Sequence, residues 1–427
     1  MLKMRKILFV DDEPCVIRGF KRMLSPLCNK WGMEFAISGK EAMNLMSKTS
    51  FDVVVSDMRM PVMDGIKFLD TVMDRYPETV RIILSGHSDR EMILRSVKCA
   101  HQFLAKPSNA DTIVYTIERT CKLRELLRND ILQKFVTGIK DLPSFPGLYD
   151  IIVREMQYPE PSIRKIGYII SQDVSMSAKV LQLVNSAFFG LPEKIRDPQQ
   201  ATIRLGIDTL RALVLSNHIF SSFPEGSELY GLPLLDMWKH SLMTGRLAKD
   251  IARAVSGDKE IAEEALIAGM FHDIGKLILQ KVPRQYKMVE EFIEKNGCDH
   301  VEAEYTVLKT SHAEMGSYLL GLWGIPDNIV EAVAFHHNPS KLLDEMFIIP
   351  GESLNGDLKL RSDKNLLTSF TTVTAVHVAN ALMMQKDCSS DTTYFPYIDM
   401  GYLKAFNLTD KLSGWVEYHK KILKEEV

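Results

Sequence analysis

The sequence has little that would tie it to a disulfide frame, a membrane or a nucleic acid. Its six cysteines (Cys15, Cys28, Cys99, Cys121, Cys298, Cys388) are scattered and form no C-x-x-C pair. That argues against a thiolate zinc site and a disulfide scaffold, and suits free thiols in a reducing compartment. No uninterrupted apolar run is long enough to span a bilayer. The opening MLKMRKILFVDDE has a basic start, but its apolar run is only four residues before two acids, too short for a signal peptide. A net charge of −3 gives no general attraction to nucleic acid or membrane. No helix-turn-helix or basic recognition helix is visible, so neither direct DNA binding nor membrane association is expected. The expectation is a cytoplasmic protein. What is present is an ordinary globular balance, 46% hydrophobic and 25% charged, over 427 residues, a length that suits two or three domains.

Residues 1–123 alternate between short apolar runs (KILFV, FDVVVS, VRIILS, HQFLAK) and helical patterns such as PCVIRGFKRMLSPL and GKEAMNLMSK. Such alternation predicts an α/β unit, a parallel sheet with helices on both faces. Ligand groups in these sheets collect at the carboxyl ends of the strands. Those ends carry Asp11-Asp12-Glu13, Asp57, Ser85 and Lys106-Pro107. Crowded carboxylates repel and call for a cation or a raised pKa. Oxygen donors without His or Cys select Mg²⁺. Asp57 suits a carboxylate nucleophile toward a phosphoryl donor, with Lys106, Ser85 and Mg²⁺ gathering the phosphoryl oxygens. The Lys106-Pro107 peptide is a candidate cis bond that would aim Lys106 inward.

The pieces VDDE, SDMRMPVMDG, LSGHSD and FLAKP resemble a response-regulator receiver domain. The resemblance spans residues 1–123 and implies a flavodoxin-like fold with a five-stranded parallel sheet. It implies Asp57 as phosphoacceptor and a sensor histidine kinase as phosphoryl source. Mg²⁺ would be held by Asp12 directly, by Asp11 through water, by Asp57 and by the Arg59 carbonyl. Ser85 and Phe103 would be the switch pair, Phe103 turning inward when Ser85 moves to the phosphate.

Residues 108–140 form a connector. Asp111 is positioned to cap a helix behind Asn109-Ala110. Ile113, Ile117 and Cys121, then Leu123, Leu126, Leu127, Ile131 and Leu132, fall at helical spacing, so one helix is expected to run past the first domain. Two readings stand: a mechanical link that forms a homodimer seam, or an amphipathic helix packed on its own chain. A helical linker is assigned to 124–141, and DLPSFPGL, with two prolines and a glycine, marks the boundary.

Beyond Leu142 strand patterns nearly vanish, and apolar residues three and four apart predict an all-α domain. Asp236 and His240 are four apart and share a helix face. His272 and Asp273 are adjacent, His312 lies in KTSHAEMG, and His336-His337 fall toward the inward side of a helix that Pro339 ends. Histidines and carboxylates on neighbouring helices suit a di-metal centre for Fe, Mn or Zn. The bland alternative is a set of buried rings satisfied by backbone or carboxylate. That alternative, or plain exposure, is expected for His218, His300 and His377. Lys276, one turn after His272, suits either a phosphate contact or an ion pair.

FHDIGK is similar to the signature of HD-superfamily metal-dependent phosphohydrolases. The wider set LPSFPGLYDII, SMSAKVLQLVNSAFFG, ATIRLGIDTLRALVL, SHAEMGSYLLGLWGIP and AFHHNP looks most like an HDOD domain, an HD-related output module, over 142–340. Residues 341–427 read as a helical extension. Two departures weigh against turnover: Asn380 in VTAVHVANAL stands where the catalytic relatives place an Asp, and HHNPSKLLDEM lacks the acidic residue and Gly-Tyr-Pro loop of the cyclic-di-GMP-cleaving class. The expectation is a phosphorylation-controlled regulator whose HDOD domain binds a downstream protein. The rival is a regulated metal phosphohydrolase, with a cyclic dinucleotide as candidate substrate.

Overall fold

The computed structural model describes residues 4–85, 96, 99–106, 108–127, 129–139, 143–144, 151–152, 155–156, 158, 160–185, 194–207, 210, 221–222, 228–229, 232–343, 370–385 and 395–425. Pro107 and His218 lie outside this set, as does most of LSGHSD.

The N-terminal unit is a parallel sheet of β1 (Arg5–Val10), β2 (Trp31–Ala36), β3 (Val53–Asp57), β4 (Val80–Ser85) and β5 (Gln102–Ala105) in the order β2-β1-β3-β4-β5. Central strands covered on both faces need continuous apolar runs, not alternation. Val53, Val54 and Val55 meet this need and are fully buried. Helices α1 (Pro14–Met23), α2 (Gly39–Met46) and α3 (Gly65–Arg75) connect the strands. The strand order reverses between β1 and β3, so Asp11 and Asp57 emerge side by side at the mouth where such sheets bind ligands. The edge strand β2, WGMEFA, alternates Trp31, Met33 and Phe35 with Gly32, Glu34 and Ala36, and adds a fifth strand to the four apolar runs named above.

Helix α4 (Ala110–Leu126) closes this unit, and the expected boundary at 123 falls inside it. Its cap is Asn109, whose side chain accepts from the Thr112 N–H at 2.8 Å, and not Asp111, which sits in the first turn. Nor does the helix run on. Leu127 turns extended, and Asn129 caps a separate helix, α5 (Asp130–Thr137). Asn129 Oδ1 accepts from the N–H groups of Ile131 and Leu132, which starts a new helix. Ile113, Ile117, Cys121, Leu123, Leu127 and Leu132 are buried within the chain, while Ile131 of the same stripe is exposed.

The C-terminal region is helical, as its periodicity predicts. Its described helices are α6 (Ile163–Ser171), α7 (Val174–Val184), α8 (Pro198–Leu205), α9 (Leu234–Ser256), α10 (Lys259–Phe271), α11 (Ile274–Gln280), α12 (Pro283–Asn296), α13 (His300–Leu308), α14 (His312–Leu322), α15 (Asp327–Phe335), α16 (Thr372–Met383), α17 (Met400–Ala405) and α18 (Leu412–Glu425). Helices α9, α10, α11, α14, α15 and α16 pack around one centre. Gly275 explains the glycine of HDIGK: a β-carbon there would run into the His312 carbonyl, and Gly316 faces it across the same crossing. Helices α11 and α14 therefore meet backbone to backbone.

A buried polar chain ties the two units together. Arg81 donates from Nη2 to the Thr137 carbonyl at 2.9 Å, and Thr137 Oγ1 lies 2.9 Å from the Tyr318 hydroxyl on α14. His101 Nδ1 accepts from the Arg81 N–H at 3.0 Å, which leaves its Nε2–H to donate to Thr137 O at 2.8 Å. The connector is thus clamped between the sheet and α14.

Candidate functional site

The first site lies at the carboxyl end of the sheet. Lys106 Nζ sits 2.6 Å from Asp11 Oδ2 and 2.5 Å from Asp57 Oδ1, bridging the ends of β1 and β3. The Lys106 N–H donates to the Ser85 carbonyl at 2.8 Å, which sets the lysine beside the end of β4. Asp11 is fully buried; its Oδ1 accepts from the Glu13 N–H at 3.0 Å, and Asp12 follows half-buried. Asp57 Oδ2 accepts from the Arg59 N–H at 2.9 Å. Burial raises the Asp57 carboxyl above its ordinary value, partly offset by Lys106 and reinforced by Asp11. Burial acts to lower Lys106, but its bonds to Asp11 and Asp57 win and raise it, so it stays an ammonium. Ser85 Oγ is buried, and among the described residues it has no hydrogen-bond partner. Phe103 is 5% exposed, already on the inward side that the resemblance associates with the switched state.

The second site is the histidine centre. It contains two overlapping groups of donor atoms: His240, His272 and Asp273 in one, and Asp273, His312, His336 and His337 in the other. Asp273 belongs to both. The sequence-predicted residues therefore converge, with one exception: Asp236 is exposed in the first turn of α9 and lies outside both groups. At that point α9 has not yet entered the core; one turn later His240 has.

The hydrogen bonds fix which ring nitrogen faces inward. His272 Nδ1 lies 2.6 Å from the Gly269 carbonyl and His336 Nδ1 lies 2.8 Å from the Val333 carbonyl. A carbonyl only accepts, so Nδ1 carries the proton in both rings and Nε2 presents its lone pair. Both Nε2 atoms and Asp273 Oδ1 are buried without a hydrogen-bond partner among the described residues. His312 repeats the pattern with a carboxylate: Nδ1 donates to Glu304 Oε2 at 2.7 Å. Its Nε2 then lies 3.2 Å from Asp273 Oδ1 and 3.1 Å from His337 Nε2.

Burial and the neighbouring rings push His336 and His337 well below the usual histidine range, and His240 to about 4. His312 goes the other way: burial would lower it, but Glu304 and Asp273 together raise it. Asp273 is held well below the usual carboxylate range, its burial outweighed by His272, Lys276 and His312. Imidazole nitrogens aimed with one carboxylate at a common point make a donor set that fits a divalent transition metal.

Glu304 was not singled out from the sequence. Its complete burial within a helix, eight residues before His312, is visible only in the structure. Lys276 takes the ion-pair role, with Nζ 2.7 Å from Asp273 Oδ2. Asn380 Oδ1 lies 3.1 Å from His240 Nε2. His377 is a buried ring between the His336 carbonyl and the Asp399 N–H, and His300 is exposed, as expected for both. The hollow that reaches Asp273, lined by Val174, Met237, Ser241, Ile274 and Leu277, has a volume of about 10 Å³.

Fold and sites define a receiver-type α/β unit followed by an HD-like helical unit, and comparison with known proteins agrees. The response regulator receiver domain model matches residues 7–118 and the HDOD domain model matches residues 142–339. The chain joins a response regulator receiver domain to an HDOD domain.

Among curated proteins it is 28% identical over 205 residues to an uncharacterized protein of Treponema pallidum, covering 47% of this chain and 38% of that one. It is 32% identical over 129 residues to the regulatory protein AtoC of Escherichia coli, covering 30% of this chain and 27% of that one. The chain thus spans well under half the length of these relatives. Among solved structures it resembles the signal receiver domain of an HD domain-containing protein from Pseudomonas fluorescens (27% identity, 27% of this chain, 93% of that chain, TM-score 0.26). It also resembles the MmoQ response regulator of Methylococcus capsulatus (16% identity, 65% of this chain, 98% of that chain, TM-score 0.46). No described helix is long and apolar enough to cross a membrane.

Proposed function

We propose that Asp57 accepts a phosphoryl group from a sensor histidine kinase and that the acyl phosphate switches the HDOD domain's binding of a downstream protein. In the transfer, an Asp57 carboxylate oxygen forms a bond to phosphorus as the phosphorus–nitrogen bond of the phosphohistidine breaks, and the imidazole leaves with the electron pair. Lys106, already between Asp11 and Asp57, moves its charge to the incoming oxygens. The unpaired Ser85 hydroxyl supplies a hydrogen bond to them. Receiver domains generally bind Mg²⁺; here Asp11, Asp12, Asp57 and the Arg59 carbonyl would hold it, and its charge neutralises the phosphoryl oxygens. The Lys106 bridge is the observation that carries this reading. The test is phosphorylation by a small-molecule phosphodonor with Mg²⁺, comparing wild type with Asp57→Asn.

A second reading concerns the histidine centre, and the inward, unpaired Nε2 atoms favour it. HD-type domains bind metals; here His272, Asp273, His312, His336 and His337 would hold Fe, Mn or Zn, with His240 weakened by its Asn380 contact. Such an ion would supply Lewis acidity toward a phosphate ester. Asn380, neutral beside His240 where a carboxylate would add charge, supports a bound metal that serves the HDOD output over turnover of a cyclic dinucleotide. Metal analysis of purified protein, with a nucleotide-hydrolysis assay in Fe, Mn and Zn, tests it. Turnover lost in His272→Ala would establish the enzyme instead.

A further inference from the structure

The receiver and the histidine centre share a pair of helices. Helix α14 begins at His312 and α15 closes at His336, with His337 next, so three of the four donors of the second group sit at one end of the pair. The turn between the helices, residues 323–326, is at the other end. An 11-residue helix spans about 16 Å, so the two ends are well separated.

The receiver grips that far turn. Arg119 of α4, 2% exposed, donates from Nη1 to the Gly321 carbonyl (2.9 Å), from Nη2 to the Ile325 carbonyl (2.6 Å) and from Nε to Asp327 Oδ1 (2.5 Å). The Tyr115 hydroxyl donates to Asp327 Oδ2 at 2.6 Å. Gln102, next to Phe103 on β5, donates to the Gly321 carbonyl at 3.2 Å. Leu123 lies directly on Gly321, where a β-carbon would collide with it.

Each contact has an electrostatic reason. The carboxyl end of α14 carries unpaired carbonyls and partial negative charge, which a guanidinium complements. The amino end of α15 favours the carboxylate of Asp327. One arginine thus holds both helices at once, in a planar fork that a lysine cannot reproduce.

We propose that this latch couples the two sites: the phosphorylation state of the receiver sets how α14 and α15 lie together, and thereby the affinity of the Asp273, His312, His336 and His337 group for a divalent transition metal. A close-packed pair transmits a displacement of its turn to its histidine end, since interiors compress little. The coupling is reciprocal, so metal at the histidines shifts the phosphorylation equilibrium by the same factor. The inference rests on the metal reading above.

The test titrates the full-length protein with Co²⁺ under excess Mg²⁺, followed by visible absorption, with and without beryllium fluoride as a phosphoryl mimic. Wild type is expected to show Co²⁺ affinities about fivefold or more apart in the two states. His336→Ala should lose the band, and Tyr115→Phe and Arg119→Lys should bring the two affinities together. Tyr115→Phe removes a single hydroxyl, so the test survives if Arg119→Lys does not fold. Equal affinities in both states of wild type, or an undiminished difference in the folded latch variants, would overturn the coupling while leaving the metal reading intact. Absence of any Co²⁺ band in wild type would overturn both.

Discussion

Glu304 accepts the Nδ1 proton of His312 at 2.7 Å, and the same carboxylate oxygen accepts the His312 backbone N–H at 2.7 Å. Two bonds to one oxygen fix both the start of α14 and the tautomer of its first ring. Replacing an outer partner of this kind typically lowers metal affinity about 10- to 100-fold. Glu304→Gln is expected to weaken Co²⁺ binding within that range while the far-ultraviolet circular dichroism stays that of wild type.

Asn380 offers His240 an amide oxygen where a carboxylate would add charge toward a cation. Asn380→Asp is therefore expected to strengthen metal binding at the His240, His272 and Asp273 group. Metal stoichiometry by elemental analysis should rise relative to wild type.

The crossing of α11 and α14 leaves no room for a side chain at Gly275. Overpacking a tight interior costs about 1–3 kcal/mol, and here the obstacle is backbone, which cannot rotate away. Gly275→Ala should lower the denaturant midpoint of the helical unit. Gly257→Ala makes an informative contrast. It has open space around its β-position, and only its left-handed backbone (φ 65°) opposes the change.

Acid should destabilise the metal-free protein. Burial lowers His101, His240, His336, His337 and His377 below the ordinary histidine value. Near neutral pH these rings are uncharged when folded, while the unfolded chain takes up protons below about pH 6.5. Their stabilisation is complete above that pH and is lost as pH falls toward the folded values, about 4 for His240. Each ring loses about 1.4 kcal/mol per pH unit within its own window. His312, raised instead, opposes this trend alone among these rings. Thermal unfolding should shift to lower temperature between pH 7 and 5; saturating transition metal should raise the unfolding temperature but leave the shift at least as steep, because metal-bound rings take up no protons while the unfolded chain still does.

The chemistry at the strand ends was legible because strand direction alone delivers it. Asp11, Asp57, Ser85 and Lys106 each follow a buried run, and a parallel sheet sends all four to one edge. Helical spacing placed His336 and His337 on an inward face; His240 was legible only as sharing a face with Asp236, and His312 only through the motif that carries it.

The misses have physical causes. Asp236 shares a face with His240, but α9 reaches the core only one turn later. The connector's apolar stripe continues across Leu127, yet Asn129 restarts the helix, because a cap outweighs periodicity at a single residue. Glu304 and the Arg119–Asp327 latch, separated by 208 residues, depend on tertiary contacts that no local pattern encodes.

The most direct measurement of the central claim is acyl-phosphate formation at Asp57. Full-length protein is incubated with acetyl phosphate and Mg²⁺, and the mass of the intact chain is followed. Wild type should gain one phosphoryl group, Asp57→Asn none, and Lys106→Ala far less than wild type. Equal labelling of wild type and Asp57→Asn would contradict the account.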